Sequence, residues 1–136
     1  MVAFVPFFVS QACTDWFTDL KAFAAGRGLD PDNLEQVFGL LPEWEKDHPM
    51  PGATVAQVAD HIDHVRAVAG VGHVGIGADF DGTPALPPGL HDVSRYPALF
   101  RELQRRRWPE ADLKALAGGN VLRALREAES YASARA

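Results

Sequence analysis

The chain has 136 residues, 47% of them hydrophobic and 23% charged, the size and composition of one ordinary globular domain. Its formal net charge of −5 argues against a nucleic-acid surface, which would carry a basic excess. Cys13 is the single cysteine, so neither an internal disulfide framework nor a cysteine-based zinc knuckle can form.

Residues 2–9 are a nearly continuous apolar run rich in Val and Phe. Without alternation, such a run reads as a strand covered on both faces, as in a parallel sheet. It lacks the basic flank of a signal peptide and is broken by Pro6, and no run in the chain reaches transmembrane length. With the lone cysteine, this points to the cytoplasm. Residues 11–28 carry polar and aromatic side chains at rough helical spacing. Residues 29–53 hold Pro31, Pro42, Pro49 and Pro51, and read as an irregular excursion with one short helix near residues 33–40.

Thr54 and Gln57 then have the spacing of a capping box. Val55, Val58, Ile62, Val65 and Ala69 fall on one stripe, predicting a helix that Gly70 stops. "GHVGIGADF" is a second strand, in which Gly75 and Gly77 permit close backbone approach. After a Pro-rich loop, Pro97 suits the first turn of a helix reaching Arg107. Arg105, Arg106 and Arg107 read as its solvated face. A further helix starts near Pro109 and ends at Gly118-Gly119, and Asn120 is placed to cap the last one, over residues 121–132. The order is α/β, with two strands joined by a right-handed helical crossover. Two parallel strands are few for a free-standing sheet, so the sequence reads as incomplete alone.

The chemistry concentrates in "VGIGADFDGTP", residues 74–84, where an apolar strand ends in two aspartates around a phenylalanine. Asp79-Phe80-Asp81-Gly82-Thr83 resembles the nucleophile motif of haloacid dehalogenase-like phosphatases, with Asp79 attacking phosphorus and Asp81 as acid and base. That chemistry also needs a lysine and a later acidic pair. Lys114 is the only lysine after Gly82, and it lies in a predicted helix. A calcium loop of the EF-hand type fails outright, because Gly77 and Pro88 would occupy ligand positions.

The histidines form no evident metal set. His61 and Asp63 are two apart on a predicted helix and point about 200° from each other. His64 turns to solvent, His73 lies early in its strand, and His48 and His91 are loop residues. The remaining reading takes the strand end in its context. In parallel α/β architectures, catalytic groups sit at the C-terminal ends of strands. Asp79 there can accept a proton from an attacking water and pass it to a leaving amine. Alternatively, Asp79 or Asp81 caps the turn before Gly82.

"ADHIDHVRAVAGVGHVGIGADFDGTP", followed by "PPGLHDVSRYPALFRELQRRRWPEADLKALAGGNVLRALREAE", resembles the C-terminal portion of the renal (membrane) dipeptidase family. Three motifs in order carry the resemblance: Gly-x-x-Asp-Phe-Asp-Gly, Asp-Val-Ser-x-Tyr-Pro and Leu-Ala-Gly-Gly-Asn. It implies an α/β fold comprising the last two β/α units of a (β/α)8 TIM-type barrel, strands seven and eight plus the C-terminal helices. Residues 1–136 would be one segment of that barrel, with a Pro-rich insertion at 29–53. It also implies dipeptide hydrolysis with a binuclear zinc centre whose ligands all precede this segment. Asp79 would be both catalytic and substrate-binding, and no residue of this chain would be a metal ligand. The chain alone is then expected to be inactive and to self-associate or aggregate through uncovered apolar faces. A truncated, non-catalytic paralogue or an oligomerising α/β module is the alternative.

Overall fold

The two predicted strands meet in parallel, but more briefly than the sequence suggested. In the computed structural model, which describes residues 1–83 and 85–135, Val2 pairs with Ile76. Val2 N–H donates to Gly75 O at 2.8 Å, Gly77 N–H to Val2 O at 3.0 Å and Phe4 N–H to Ala78 O at 3.1 Å. The strand expected over residues 2–9 stops at Val5. Pro6 has no N–H to offer a ladder, and its fixed φ starts a helix instead. That helix, α1, runs Pro6–Val9. Gly77 leaves room beside this pairing for Met1: a Cβ there would stand 3.0 Å from Met1 Cε and 3.1 Å from Met1 Cβ.

Seven more helices follow among the described residues: α2 (Gln11–Gly26), α3 (Leu34–Gly39), α4 (Leu41–Trp44), α5 (Val55–Ala69), α6 (Tyr96–Arg105), α7 (Glu110–Lys114) and α8 (Asn120–Ser133). The excursion thus holds two short helices where one was expected, α4 starting with Pro42 in its first turn. Helix α5 carries the full capping box: Thr54 Oγ1 accepts from Gln57 N–H at 3.2 Å, and Gln57 Oε1 accepts from Thr54 N–H at 2.8 Å. Gly70, at φ 87°, ends it. The segment around His73, expected as strand, is a short 3-10 turn over Val71–His73. None of these helices is long and apolar enough to cross a membrane.

Two apolar clusters result among the described residues. In the larger, Phe4, Val74 and Ala78 from the parallel pair meet Val58 and Ile62 of α5, Leu99 and Leu103 of α6, and Leu116. The smaller lies within the excursion, where Trp16, Leu20 and Ala24 of α2 close on Val37 and Trp44. Trp16 Nε1–H finds His48 O at 2.7 Å, so its indole is satisfied on burial.

The arginine run is a correction. Arg106 is not a solvated residue; its side chain is 19% exposed and joins α6 to α5. Its guanidinium donates to Asp60 at 2.6 Å, Asp63 at 2.7 Å, Glu102 at 2.8 Å and the carbonyl of Ala56 at 2.9 Å. Asn120 is corrected as well. It is the first residue of α8 rather than its cap, and its amide donates to Val71 O and Val74 O, both at 2.7 Å. It ties α8 to the entrance of the second extended segment.

Hydrogen bonds from Arg105 and then Arg106 pull the Glu102 carboxyl down to about 2 from an ordinary 4.5. A carboxyl with a depressed folded pKa stabilises the fold above its unfolded pKa and loses that contribution as pH falls towards the folded value. We therefore expect the melting temperature to drop as pH falls from about 5 to about 2. Glu102→Gln should flatten that part of the profile, and an unchanged slope in the variant would contradict the assignment.

Candidate functional site

Asp79 follows the last residue of the parallel pair and leaves it in a left-handed conformation, φ 65°. Such a conformation is uncommon outside glycine, though Asp and Asn tolerate it best. Its local effect is to turn Phe80 back into the core. The Phe80 ring lies edge-on to Phe4 at 6.0 Å and 5.7 Å from the Tyr96 ring, and Phe4 and Tyr96 also meet edge-on at 6.0 Å. The phenylalanine between two aspartates is thus an anchor, and both carboxylates flanking it stay exposed.

Gly82 N–H donates to Asp79 O at 3.2 Å and closes a turn in which Asp81 is a central residue. A Cβ at position 82 would overlap Asp79 Oδ1 and stand 2.9 Å from its Cγ. Glycine therefore leaves the space that the Asp79 carboxylate occupies. Among the described residues no donor engages that carboxylate, so it does not act as the cap of its own turn.

Two carboxylates of the other motifs, Asp63 and Asp92, are committed elsewhere. Asp63 receives Arg106 and, at 2.7 Å, the indole N–H of Trp108. Asp92 accepts from Ser94 N–H at 2.7 Å and opens the short 3-10 turn Val93–Arg95. Hydrogen bonding from Ser94 holds its carboxyl below the ordinary range. The Asp-Val-Ser-x-Tyr-Pro motif is thus architectural: Asp92 starts a turn, Tyr96 packs on Phe4, and Pro97 begins α6. Burial pushes the Tyr96 phenol up.

The histidines do not converge. His61 and His64 are exposed on α5, His73 is exposed in its turn, His48 stacks on Trp44 at 3.8 Å, and His91 accepts from Arg95 at 3.2 Å. No group of three His, Cys, Asp or Glu side chains able to hold a metal occurs among the described residues. These residues do not fit a zinc pair. Lys114, the lysine a phosphatase would need, is exposed on α7 beside Glu110 at 2.7 Å.

Sequence reasoning missed a cleft of about 200 Å³ beside Asp79 and Gly82, walled by Phe7, Phe8, Phe17 and Phe38. Phe7 stacks on Phe17 at 4.7 Å, and Phe17 lies 5.8 Å from Phe38. Phe7 and Phe8 read as strand residues, and only the stop at Pro6 could have placed them on a helix facing the excursion.

The family model described as "Membrane dipeptidase (Peptidase family M19)" matches residues 1–136. Dipeptidase 3 of Homo sapiens is 51% identical over 77 residues, covering 57% of this chain and 16% of that protein. Dipeptidase aclJ of Aspergillus oryzae is 42% identical over 111 residues, covering 75% of this chain and 26% of that protein. The crystal structure of the probable dipeptidase PvdM from Pseudomonas aeruginosa matches with a TM-score of 0.68 at 28% identity, over 90% of this chain and 35% of that one. The chain therefore spans between 16% and 35% of the length of these relatives.

Proposed function

The chain belongs to the membrane dipeptidase family, and from that premise we propose that it forms the last two β/α units of a (β/α)8 barrel that hydrolyses dipeptides. In this reading residues 1–136 are strands seven and eight with the C-terminal helices, and residues 29–53 are an insertion between them. The observation that carries the reading is the Asp79 carboxylate. It stands at the C-terminal end of a parallel segment, in a strained backbone conformation, with no donor on it among the described residues and with Gly82 leaving it room. Ionised, it holds the ammonium of a dipeptide. It also accepts the proton of the attacking water and returns it to the leaving amine.

The zinc pair implied by the family would polarise the peptide carbonyl and supply the hydroxide. The described residues do not fit it, so its ligands belong to another segment or another chain, and the steps assigned to Asp79 stop at proton transfer and substrate holding. Cys13 is free and buried, which fits a reducing compartment such as the cytoplasm.

The test is a graft. This chain replaces the matched segment of Dipeptidase aclJ, and zinc content and dipeptide turnover are compared with those of the 136-residue chain alone. We expect a zinc-dependent dipeptidase from the graft, and near-zero zinc and no turnover from the chain alone. Two tightly held zinc ions on the 136 residues, or a folded, zinc-loaded graft without activity, would overturn the reading.

One further observation favours self-association of the isolated chain. Met1 is 81% exposed and Phe8 67%, while α8 presents Leu122 and Leu125 at 52% and 56%. Apolar surface of this kind is normally covered by a partner element or a second copy. Light scattering should show a mass that rises with concentration in the micromolar range. A concentration-independent monomer with cooperative unfolding would contradict it.

A further inference from the structure

We propose that the aromatic cleft beside Asp79 is a specificity pocket for the first side chain of the substrate, selecting a free ammonium attached to a bulky apolar or aromatic residue. The proposal rests on the reading of Asp79 as the group that holds the substrate's amino end. The side chain of an N-terminal residue springs from the same carbon as its ammonium. An ammonium on Asp79 therefore puts that side chain within reach of whatever lies beside the carboxylate, and what lies there is aromatic. Phe7 and Phe8 come from α1, Phe17 from α2 and Phe38 from α3, so three separate helices converge on one cleft.

Size and charge narrow the occupant. The volume, about 200 Å³, is below the 300–1,000 Å³ range of pockets for drug-sized ligands and suits one side chain. Among the described residues Asp79 is the only ionisable one lining it, so its rim is complementary to a cation and its walls to hydrocarbon. Thr83 offers a ligand no donor, because its hydroxyl proton goes to Ala85 O at 2.9 Å. Phe8, 67% exposed at the edge, is an aromatic side chain that a bound apolar group would cover.

The experiment uses the 136-residue chain, held below the concentration at which light scattering shows self-association, and ligand-observed NMR with three probes: phenylalaninamide, alaninamide and N-acetylphenylalaninamide. We expect phenylalaninamide to bind about 10-fold more tightly than alaninamide, the scale of burying most of one aromatic side chain. Acetylation should abolish binding, as should Asp79→Asn for the free amine. Phe38→Ala should bring the two amines close to equal affinity. Phe8→Ala, at an exposed position that cannot unfold the chain by leaving a core void, should reduce the ratio in the same direction. Equal affinity of the two amines, with acetylation still abolishing binding, overturns the pocket and leaves the Asp79 reading standing. Equal affinity of free and acetylated phenylalaninamide overturns the Asp79 reading. No binding by any probe overturns the pocket in this chain, while the activity of the graft decides separately on Asp79.

Discussion

Asp79→Asn should lower turnover of the grafted dipeptidase by about 10²–10⁴-fold, the range associated with loss of a positioned general base. Asparagine is the sharpest probe because it keeps the size of the side chain and also tolerates the left-handed backbone found at φ 65°. Folding and zinc content should therefore stay at the parental level while proton transfer is lost. Gly82→Ala approaches the same carboxylate from the other side. Its new methyl group would overlap Asp79 Oδ1, so the carboxylate must move, and misplacement of about 1 Å can cost on the order of 10²-fold. If Gly82 acts only through Asp79, the double variant should be no slower than Asp79→Asn alone, since the displaced group has already been disarmed. A single Asp79→Asn variant within a few-fold of the parent would remove Asp79 from the chemistry.

The elements that were legible in the sequence are those whose signals are local. The capping box at Thr54 and Gln57, the stop at Gly70 and the start at Pro97 each depend on residues within one turn of the boundary, and all three stand as read. Gly75 and Gly77 were expected to admit close backbone approach; what stands nearest a Cβ at either is side chain, Val121 and Met1 at Gly75 and Met1 at Gly77. What was not legible depends on partners distant in the chain. Arg106 looked like one charge among three; only the fold brings Asp60 and Asp63 to it from 46 and 43 residues away. Asn120 has the residue type of a cap, but its amide is committed to Val71 and Val74, 49 and 46 residues distant. The cleft is the extreme case, since its four phenylalanines come from three helices that no periodicity connects.

Asp79 itself lies between these cases. Its place at a strand end was visible, yet the choice between a turn cap and a free carboxylate depended on geometry. The backbone of Asp79 accepts the turn's hydrogen bond from Gly82, which leaves the side chain without a local task. The same turn commits Phe80 to the core, so sequence position alone would have ranked three adjacent residues alike where the fold gives them different duties.

The largest effect on stability is expected at Phe4. Phe4→Ala should cost about 3–5 kcal/mol, the usual penalty for removing a buried aromatic ring and leaving its cavity. Phe4 is fully buried, its ring meets both Phe80 and Tyr96 edge-on, and its N–H holds Ala78 O in the last hydrogen bond before Asp79. Whole domains are stable by only about 5–15 kcal/mol, so a loss of this size consumes much of the margin. Urea unfolding can be followed through Trp16, Trp44 and Trp108, which report on both clusters. The midpoint should fall sharply for Phe4→Ala, while Phe8→Ala, four residues on and 67% exposed, should stay within about 0.5 kcal/mol of the parent. A Phe4→Ala midpoint equal to the parent's would show that the Phe4, Phe80 and Tyr96 contacts do not hold the chain together. Phe80 packs edge-on against Phe4 and directly follows Asp79, so Phe4→Ala should also loosen the backbone that presents the Asp79 carboxylate, and turnover of the grafted enzyme should fall with the midpoint. In that case one aromatic contact fixes both the stability of the parallel pair and the geometry of the group proposed to do the chemistry.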